Sequence, residues 1–446
     1  MEINKSIFKS YDIRGIYSSE LNENTAFVIG AALVRHTGAK RVVIGQDARI
    51  SSPALFKALA RGVFAGGAQV TDIGQVPTEC VYFALGSYDF DTAVMITASH
   101  NPKEYNGFKM IRKIGHNLEM VRGTELASIA DSDISTSDSG ADIDVPKKDI
   151  WNDFIKNILS FVDLSEITPL KVVIDASNGV AGNAISRMQD KLPVEIVPLN
   201  FDPDGNFPNH SPNPLIEGSA DKIKQMVKTE KADFGLIFDA DADRIFLIDE
   251  EGEMVRADVV LLLLAKYFLE KNQGMAIAYN AICSKATQEF IKKWGGKPIR
   301  TKVGFVNVRE GLMQNNGIMG GELSGHYCFK DNFYMDSGMI ALLTLLVIFS
   351  KDQGAVSEIV KDLSPYAKSS EFNFQVSDKT AVIEEIKQKY SDGEQDFLDG
   401  VTVTYKDWWF NLRPSNTEPL LRLTIEADTK ELLDEKQEEL KSVIIE

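Results

Sequence analysis

The feature that most constrains this chain is a unit of strand, helix and strand that recurs three times at about the same size. Arg41-Val42-Val43-Ile44-Gly45-Gln46-Asp47 is a β-branched run; a helix follows it, and the turn Gly66-Gly67 opens a second strand that ends near Gly74. Lys171-Val172-Val173-Ile174-Asp175 leads to a helix over 181–192 and a strand over 194–199. Met275-Ala276-Ile277-Ala278-Tyr279-Asn280 leads to a helix over 284–294, and Gly295-Gly296-Lys297-Pro298-Ile299-Arg300 enters another strand. Short apolar strands alternating with helices of this length form βαβ units. Repetition on this scale predicts three structurally related α/β domains with mixed sheets. Ser52 and Pro53 read as N-cap and first helical residue of the first repeat, and 24–36 as a helix ahead of it.

Beyond the third repeat the pattern changes. Helix-like stretches at 382–390 and 430–445 alternate with strand-like ones at 401–405 and 420–425, which predicts a smaller C-terminal α+β domain. Polar stretches at 132–148 (rich in Ser, Asp and Gly, and read as a linker), 249–252 and 365–371 divide the chain into domains over 1–146, 147–250, 251–367 and 368–446. With 446 residues, three or four domains is also the prior from length. A net charge of -17 argues against nucleic acid as a partner, because a binding surface for it should be basic. Cys80, Cys283 and Cys328 are widely spaced and read as buried free thiols of a reducing compartment. The first nine residues hold no apolar signal core, and the apolar runs 259–265 and 338–349 fall short of the roughly 20 residues of a membrane span. The expectation is a soluble, cytoplasmic protein with no membrane partner.

Four stretches carry chemistry. After the apolar run Ala93-Val94-Met95-Ile96, the turn Thr97-Ala98-Ser99-His100-Asn101-Pro102 presents Ser99 at a strand end, where open α/β sheets bind ligands. A serine in a turn is by default a cap or a backbone partner. Phe234-Gly235-Leu236-Ile237-Phe238 is a strand followed by Asp239-Ala240-Asp241-Ala242-Asp243-Arg244, whose three alternating carboxylates call for a divalent cation. A calcium loop of the EF-hand type is rejected because Arg244 stands where its turn needs Gly, and 245–248 reads as a strand. An aspartyl-phosphate phosphatase wants Thr or Val where Asp243 stands. Gly320-Gly321-Glu322-Leu323-Ser324-Gly325-His326 places one acid on a flexible turn. Asn411-Leu412-Arg413-Pro414-Ser415-Asn416-Thr417-Glu418-Pro419 combines an arginine with hydroxyl and amide donors, suited to a dianionic phosphate.

These four stretches, with Tyr11-Asp12-Ile13-Arg14-Gly15 near the start and Tyr105-Asn106-Gly107-Phe108-Lys109 after the serine, resemble the α-D-phosphohexomutases in the right order. The likeness is greatest to bacterial phosphomannomutases. That family has three related α/β domains and a fourth smaller one around a central cleft, and it moves a phosphoryl group between C1 and C6 of a hexose. The resemblance implies that Ser99 carries the phosphate, with Arg14 facing it and His100 beside it. It implies one Mg²⁺ per chain on Asp239, Asp241, Asp243 and the Ser99 phosphate, with Arg244 adjacent. Tyr11, Glu322 and Ser324 would bind the sugar, and Arg413, Ser415, Asn416 and Thr417 the phosphate that is not reacting. Lys109 and His326 are candidates for proton transfer.

The expected activity interconverts mannose 6-phosphate and mannose 1-phosphate, with hexose 1,6-bisphosphate as intermediate and activator. Leu323 and Asp336-Ser337-Gly338-Met339-Ile340 point to mannose, with glucose or glucosamine phosphates as alternatives. Outside the mutases, a sugar-phosphate phosphatase and a non-catalytic sensor are the rivals. The partners expected are hexose phosphates alone, and the protein a monomer or homodimer. Ala240 and Ala242 stand where family members commonly have Gly, so this loop is expected to keep ordinary dihedrals. Two positions depart from the pattern: Phe305 replaces a frequent His, and Asn280-Ala281-Ile282 lacks a frequent basic residue. Any acid/base or phosphate role of those two positions is either lost or taken over by Lys302, Lys285 or His326.

Overall fold

The computed structural model describes residues 3–130, 140, 143–352, 354–415 and 420–445. The chain forms two compact bodies, Met1–Val255 with His326–Val356, and Arg256–Gly325 with Ser357–Glu446.

In the first body one sheet runs Ile13–Ile16, Tyr105–Ile114, Thr92–Ile96, Arg41–Gln46, Gln69–Gln75, with Asn117–Val121 also paired to Tyr105–Ile114. Its second sheet runs Ile245–Ile248, Phe234–Phe238, Lys171–Asp175, Glu195–Leu199. In the second body Lys297–Thr301, Ala276–Asn280 and Met319–Gly321 pair in parallel in that order.

The three sets share one plan. The repeat's first strand lies in the middle, the second is reached through one helix, and the third through another on the opposite side. The helices leading to the third strands are Thr78–Ser87, Asp221–Glu230 and Phe305–Gln314. Thr92–Ile96, Phe234–Phe238 and Ala276–Asn280 are buried at every position, as parallel strands covered on both faces should be. All three chemistry-bearing loops of the repeats, at Ser99, Asp239 and Glu322, leave the C-terminal end of the same third strand. The repeat therefore fixes where function sits.

The C-terminal segment forms a separate antiparallel sheet in the second body, with Trp408–Pro414 between Val401–Thr404 and Leu421–Ala427, and the final helix Lys430–Ile445 packed against it. Helices Ala257–Lys271 and Gly338–Lys351 are buried nearly all round. Among the described residues no single helix is long and apolar enough to cross a membrane. The three cysteines are free and buried, as expected.

Three expectations need correction. The helix expected to be capped by Ser52 starts at Ser52, with Ser51 as N-cap and no side-chain capping bond. Both hydroxyls are claimed elsewhere: Ser52 Oγ donates to Asp47 Oδ1 at 2.8 Å, and Asn106 Nδ2 donates to Ser51 at 2.8 Å and Ser52 at 3.1 Å. Of the expected linker, 132–139, 141 and 142 lie outside the described residues, but its end is tied down. Asp72 N donates to Pro146 O and Lys148 N to Asp72 O, both at 2.9 Å, so this part adds a short pairing to the sheet edge. Ala242, expected to keep ordinary dihedrals, has φ 65°. It follows a turn closed by Ala242 N donating to Asp239 O at 3.2 Å.

Candidate active site

The serine loop is built for rigidity. Ser99 is fully buried and sits at φ 51°, a left-handed conformation that costs a non-glycine residue about 1–2 kcal/mol. Its N–H donates to Thr97 Oγ1 at 2.8 Å. Arg49, also buried, clamps the loop from behind. Its Nη2 donates to Ser99 O at 2.7 Å and Asn101 O at 2.6 Å, its Nη1 to Pro102 O at 2.7 Å and Tyr105 O at 3.0 Å, and its Nε to Asp47 at 3.1 Å. Arg14 reaches the loop from Ile13–Ile16: Nη1 donates to Asn101 Oδ1 at 2.7 Å and Ala98 O at 3.2 Å, and Nε pairs with Asp12 at 2.7 Å. Arg14 thus grips the residues on either side of Ser99. Tyr11 is half-buried on the turn before that strand. His100 Nδ1 lies 3.2 Å from Ser99 Oγ; burial, then the charges of Arg244 and Arg14, push its pKa well below the usual histidine range, leaving a neutral ring.

The carboxylate loop meets the serine loop. Ser99 Oγ donates to Asp239 Oδ2 at 3.0 Å across 140 residues of sequence. Asp241 Oδ2 accepts from Thr78 Oγ1 and from Lys109 Nζ, each at 2.7 Å, and Lys109 also pairs with Asp243. Oxygens of Asp239, Asp241 and Asp243 lie within 4.8 Å of one another, all buried, and among the described residues Asp241 Oδ1 and Asp243 Oδ1 have no hydrogen-bond partner. Burial, then Asp241 and Asp243, push the Asp239 carboxyl well above the usual range. Burial acts the same way on Asp241, but Lys109, Thr78 and Arg14 outweigh it and hold that carboxyl low. Burial would lower the Lys109 ammonium, yet Asp241 and Asp243 overcome it and raise its pKa. Three crowded carboxyl groups that resist carrying three negative charges together, with two unpartnered oxygens and one nearby ammonium, fit a hard divalent cation.

Arg244 and His326 complete this centre. Arg244 Nε donates to His326 Nε2 at 3.0 Å, and His326 Nδ1 faces Asp336 Oδ2 at 2.6 Å. Those partners assign the proton to Nδ1 and a lone pair to Nε2. Arg244 also lies 3.7 Å from Asp239. Ser99, His100, Arg14, Lys109, Arg244, His326 and the three aspartates are thereby brought together in the first body.

The remaining candidates belong to the second body. Glu322 accepts from Ser324 Oγ, from Gly304 N at 3.1 Å and from Asn280 Nδ2 at 3.3 Å. Arg413 is buried on Trp408–Pro414, and its Nη2 pairs with Glu371 at 2.7 Å; Glu371 also takes Arg422 at 3.0 Å. Ser415 opens the hairpin tip, its N–H donating to Leu420 O at 2.8 Å. Asn416 and Thr417 lie outside the described residues. Of the residues expected to substitute for the missing basic groups, Lys285 is engaged with Asp428 at 2.8 Å, and Lys302 is exposed.

Comparison with known proteins places this arrangement. Descriptions of phosphoglucomutase/phosphomannomutase α/β/α domains I, II and III match residues 5–135, 151–252 and 256–366, and that of the C-terminal domain matches 371–443. The chain belongs to the phosphoglucomutase/phosphomannomutase family. A protein of Xanthomonas campestris named for phosphohexose mutases is 36% identical over 447 residues, covering 98% of both chains. A phosphomannomutase of Methanocaldococcus jannaschii is 36% identical over 444 residues, covering 98% of this chain and 97% of its own. A phosphoglucomutase/phosphomannomutase family protein of Burkholderia thailandensis has a solved structure that superposes with a TM-score of 0.87 at 32% identity, covering 99% and 98% of the two chains. This family member is accordingly a phosphohexomutase, an isomerase that transfers a phosphoryl group within hexose phosphates.

Sequence reasoning missed Arg49, Thr78, Asp336 as a partner of His326, and Asn280 as a partner of Glu322. Arg49 stood only two residues after a predicted strand, and Thr78 followed Pro77 at a helix start. Both are common surface settings, and nothing local marked either as facing a site.

Proposed function

We propose that this phosphohexomutase interconverts mannose 6-phosphate and mannose 1-phosphate in the cytoplasm, and also accepts glucose phosphates. Phosphorylated Ser99 gives its phosphoryl group to the free sugar hydroxyl: the serine O–P bond breaks as the sugar O–P bond forms, yielding hexose 1,6-bisphosphate. The other phosphate then returns to Ser99. The observation that supports this most is the buried Ser99 hydroxyl on a strained turn 3.0 Å from Asp239, within a cluster of Arg14, Lys109 and Arg244. Phosphoryl transfer needs positioning and charge stabilisation more than covalent help, and these side chains offer both.

Asp239, Asp241, Asp243 and the Ser99 phosphate would hold one Mg²⁺, whose contribution is neutralisation of the transferring group's charge. His326 Nε2, the nitrogen without a proton, takes the hydroxyl proton once Arg244 turns to the phosphoryl oxygens. Lys109, the other candidate for proton transfer, is held as an ammonium by Asp241 and Asp243 and serves as a fixed positive charge. Glu322 and Ser324 read ring hydroxyls, with Tyr11 as a further sugar contact. Arg413, Ser415, Asn416 and Thr417 hold the non-reacting phosphate. The mannose preference rests on Leu323, on Asp336-Ser337-Gly338-Met339-Ile340 and on the names of the relatives.

The test is a coupled assay comparing mannose, glucose and glucosamine 1-phosphates, with and without hexose 1,6-bisphosphate, on wild type and Ser99→Ala. Mannose 1-phosphate should be used at least as well as glucose 1-phosphate, the bisphosphate should activate, and chelation or Ser99→Ala should abolish turnover. Retained turnover by Ser99→Ala refutes the mechanism; preference for glucosamine phosphate refutes the substrate assignment alone.

A further inference from the structure

Glu322 is a nearly buried carboxylate on a loop of glycines, and three neutral donors fix it. A carboxylate has about four lone-pair sites, two on each oxygen. Oε2 uses both of its sites, on Asn280 Nδ2 at 3.3 Å and Gly304 N at 3.1 Å. Oε1 uses one, on Ser324 Oγ. One acceptor site on Oε1 remains, next to a serine oxygen whose own proton is already committed.

Asn280 is placed for this by topology. It is the last residue of Ala276–Asn280, opposite Thr301 on one neighbouring strand, while Tyr279 pairs with Gly321 on the other. Its side chain therefore stands between the turn carrying Gly304 and the loop carrying Glu322. The amide cannot be reversed without loss. Cys283 Sγ, held as a thiol because burial above all pushes its pKa up, donates to Asn280 Oδ1 at 3.2 Å, so only the NH₂ edge faces Glu322. Asn280 is 1% exposed, and no solvent competes for that bond. Its neutrality matters as much as its geometry. A cation at this position would cancel the charge of Glu322, whereas an amide orients the carboxylate and leaves its charge available to a ligand.

We propose that Asn280 is a positioning residue for sugar recognition, locking Glu322 so that Oε1 and Ser324 Oγ present an acceptor-only edge to neighbouring ring hydroxyls. This rests on the reading of Glu322 as a hydroxyl acceptor. The role belongs to substrate binding, so it should appear in KM more than in kcat.

The experiment is steady-state kinetics on the full chain with mannose 1-phosphate and saturating glucose 1,6-bisphosphate, for wild type, Asn280→Ala, Asn280→Asp, Glu322→Gln and the double variant Asn280→Ala/Glu322→Gln. Loss of one charge-assisted hydrogen bond should raise KM by about 10-fold or more in Asn280→Ala, with kcat changed by less than about threefold. Asn280→Asp, which replaces the donor by a second anion at the same shape, should raise KM further. In the Glu322→Gln background Asn280→Ala should add less than about twofold, because coupled residues are not additive. An unchanged KM in both Asn280 variants, or an equal penalty with and without Glu322, overturns the proposal. If Glu322→Gln itself leaves KM unchanged, the reading of Glu322 fails first and this proposal falls with it. Should Asn280→Ala fail to fold by circular dichroism, the isosteric Asn280→Asp carries the test.

Discussion

Arg49→Lys tests whether the serine loop is held by one guanidinium. Arg49 has five N–H donors, and all five are used, one on Asp47 and four on carbonyls of residues 99, 101, 102 and 105. Burial works to lower the Arg49 pKa and to raise that of Asp47, and their mutual attraction only partly offsets it. A lysine keeps the charge but brings three donors from a single point, so at least two acceptors go unpaired. An unsatisfied buried acceptor costs about 1–3 kcal/mol, which makes about 2 kcal/mol a lower figure for loosening the loop. Opening of that segment should then become about 25-fold more frequent. Hydrogen exchange read by mass spectrometry on peptides spanning 97–107 measures this directly, with peptides from Phe234–Phe238 as control. Exchange in 97–107 should accelerate about 25-fold, exchange in the control strand should stay as in wild type, and the rate of Ser99 phosphorylation by hexose 1,6-bisphosphate should fall. Arg49→Ala should be worse, because it also strands Asp47 in a buried site, a loss of about 3–5 kcal/mol. If Arg49→Lys exchanges within about threefold of wild type, the clamp contributes nothing and the reasoning fails.

Two further outcomes concern the same centre. Ala242 has φ 65° whereas Ala240 is not in the left-handed region, so Ala242→Gly relieves about 1–2 kcal/mol of strain while Ala240→Gly only adds chain entropy. In metal-free protein Ala242→Gly should therefore melt above Ala240→Gly, and equal melting temperatures would refute the strain. Glu79 is buried, accepting from Ser337 Oγ and from Met339 N at 3.2 Å, and burial more than any other cause pushes its pKa up from 4.5 to about 8. The folded state then holds a proton that the unfolded state has released, so its contribution to stability is complete below pH 4.5 and disappears as pH rises through about 8. Urea midpoints measured in chelator should fall across that window, and less steeply in Glu79→Gln than in wild type; a variant with the wild-type slope refutes the assignment.

The sequence determined by itself the recurring strand, helix and strand units and the place of each chemical loop. Continuous apolar runs such as Phe234–Phe238 declare a strand buried on both faces, and the polar turn after each one declares its end. The three aspartates were legible because alternating carboxylates at a strand end are hard to explain without a cation. Partners were not legible. Ser99 and Asp239 are 140 residues apart, Lys109 and Asp243 134, and Glu322 and Asn280 42, and nothing in local periodicity states which charge meets which. Ser52 looked like a cap because caps are local, but Asp47 and Asn106 reached it through tertiary contacts. Intrinsic preference speaks against a left-handed Ala242, yet the folded loop holds it at φ 65°. Local preferences amount to about 1 kcal/mol per residue, while a buried unpaired charge costs several, so wherever the two conflict the tertiary pairing decides.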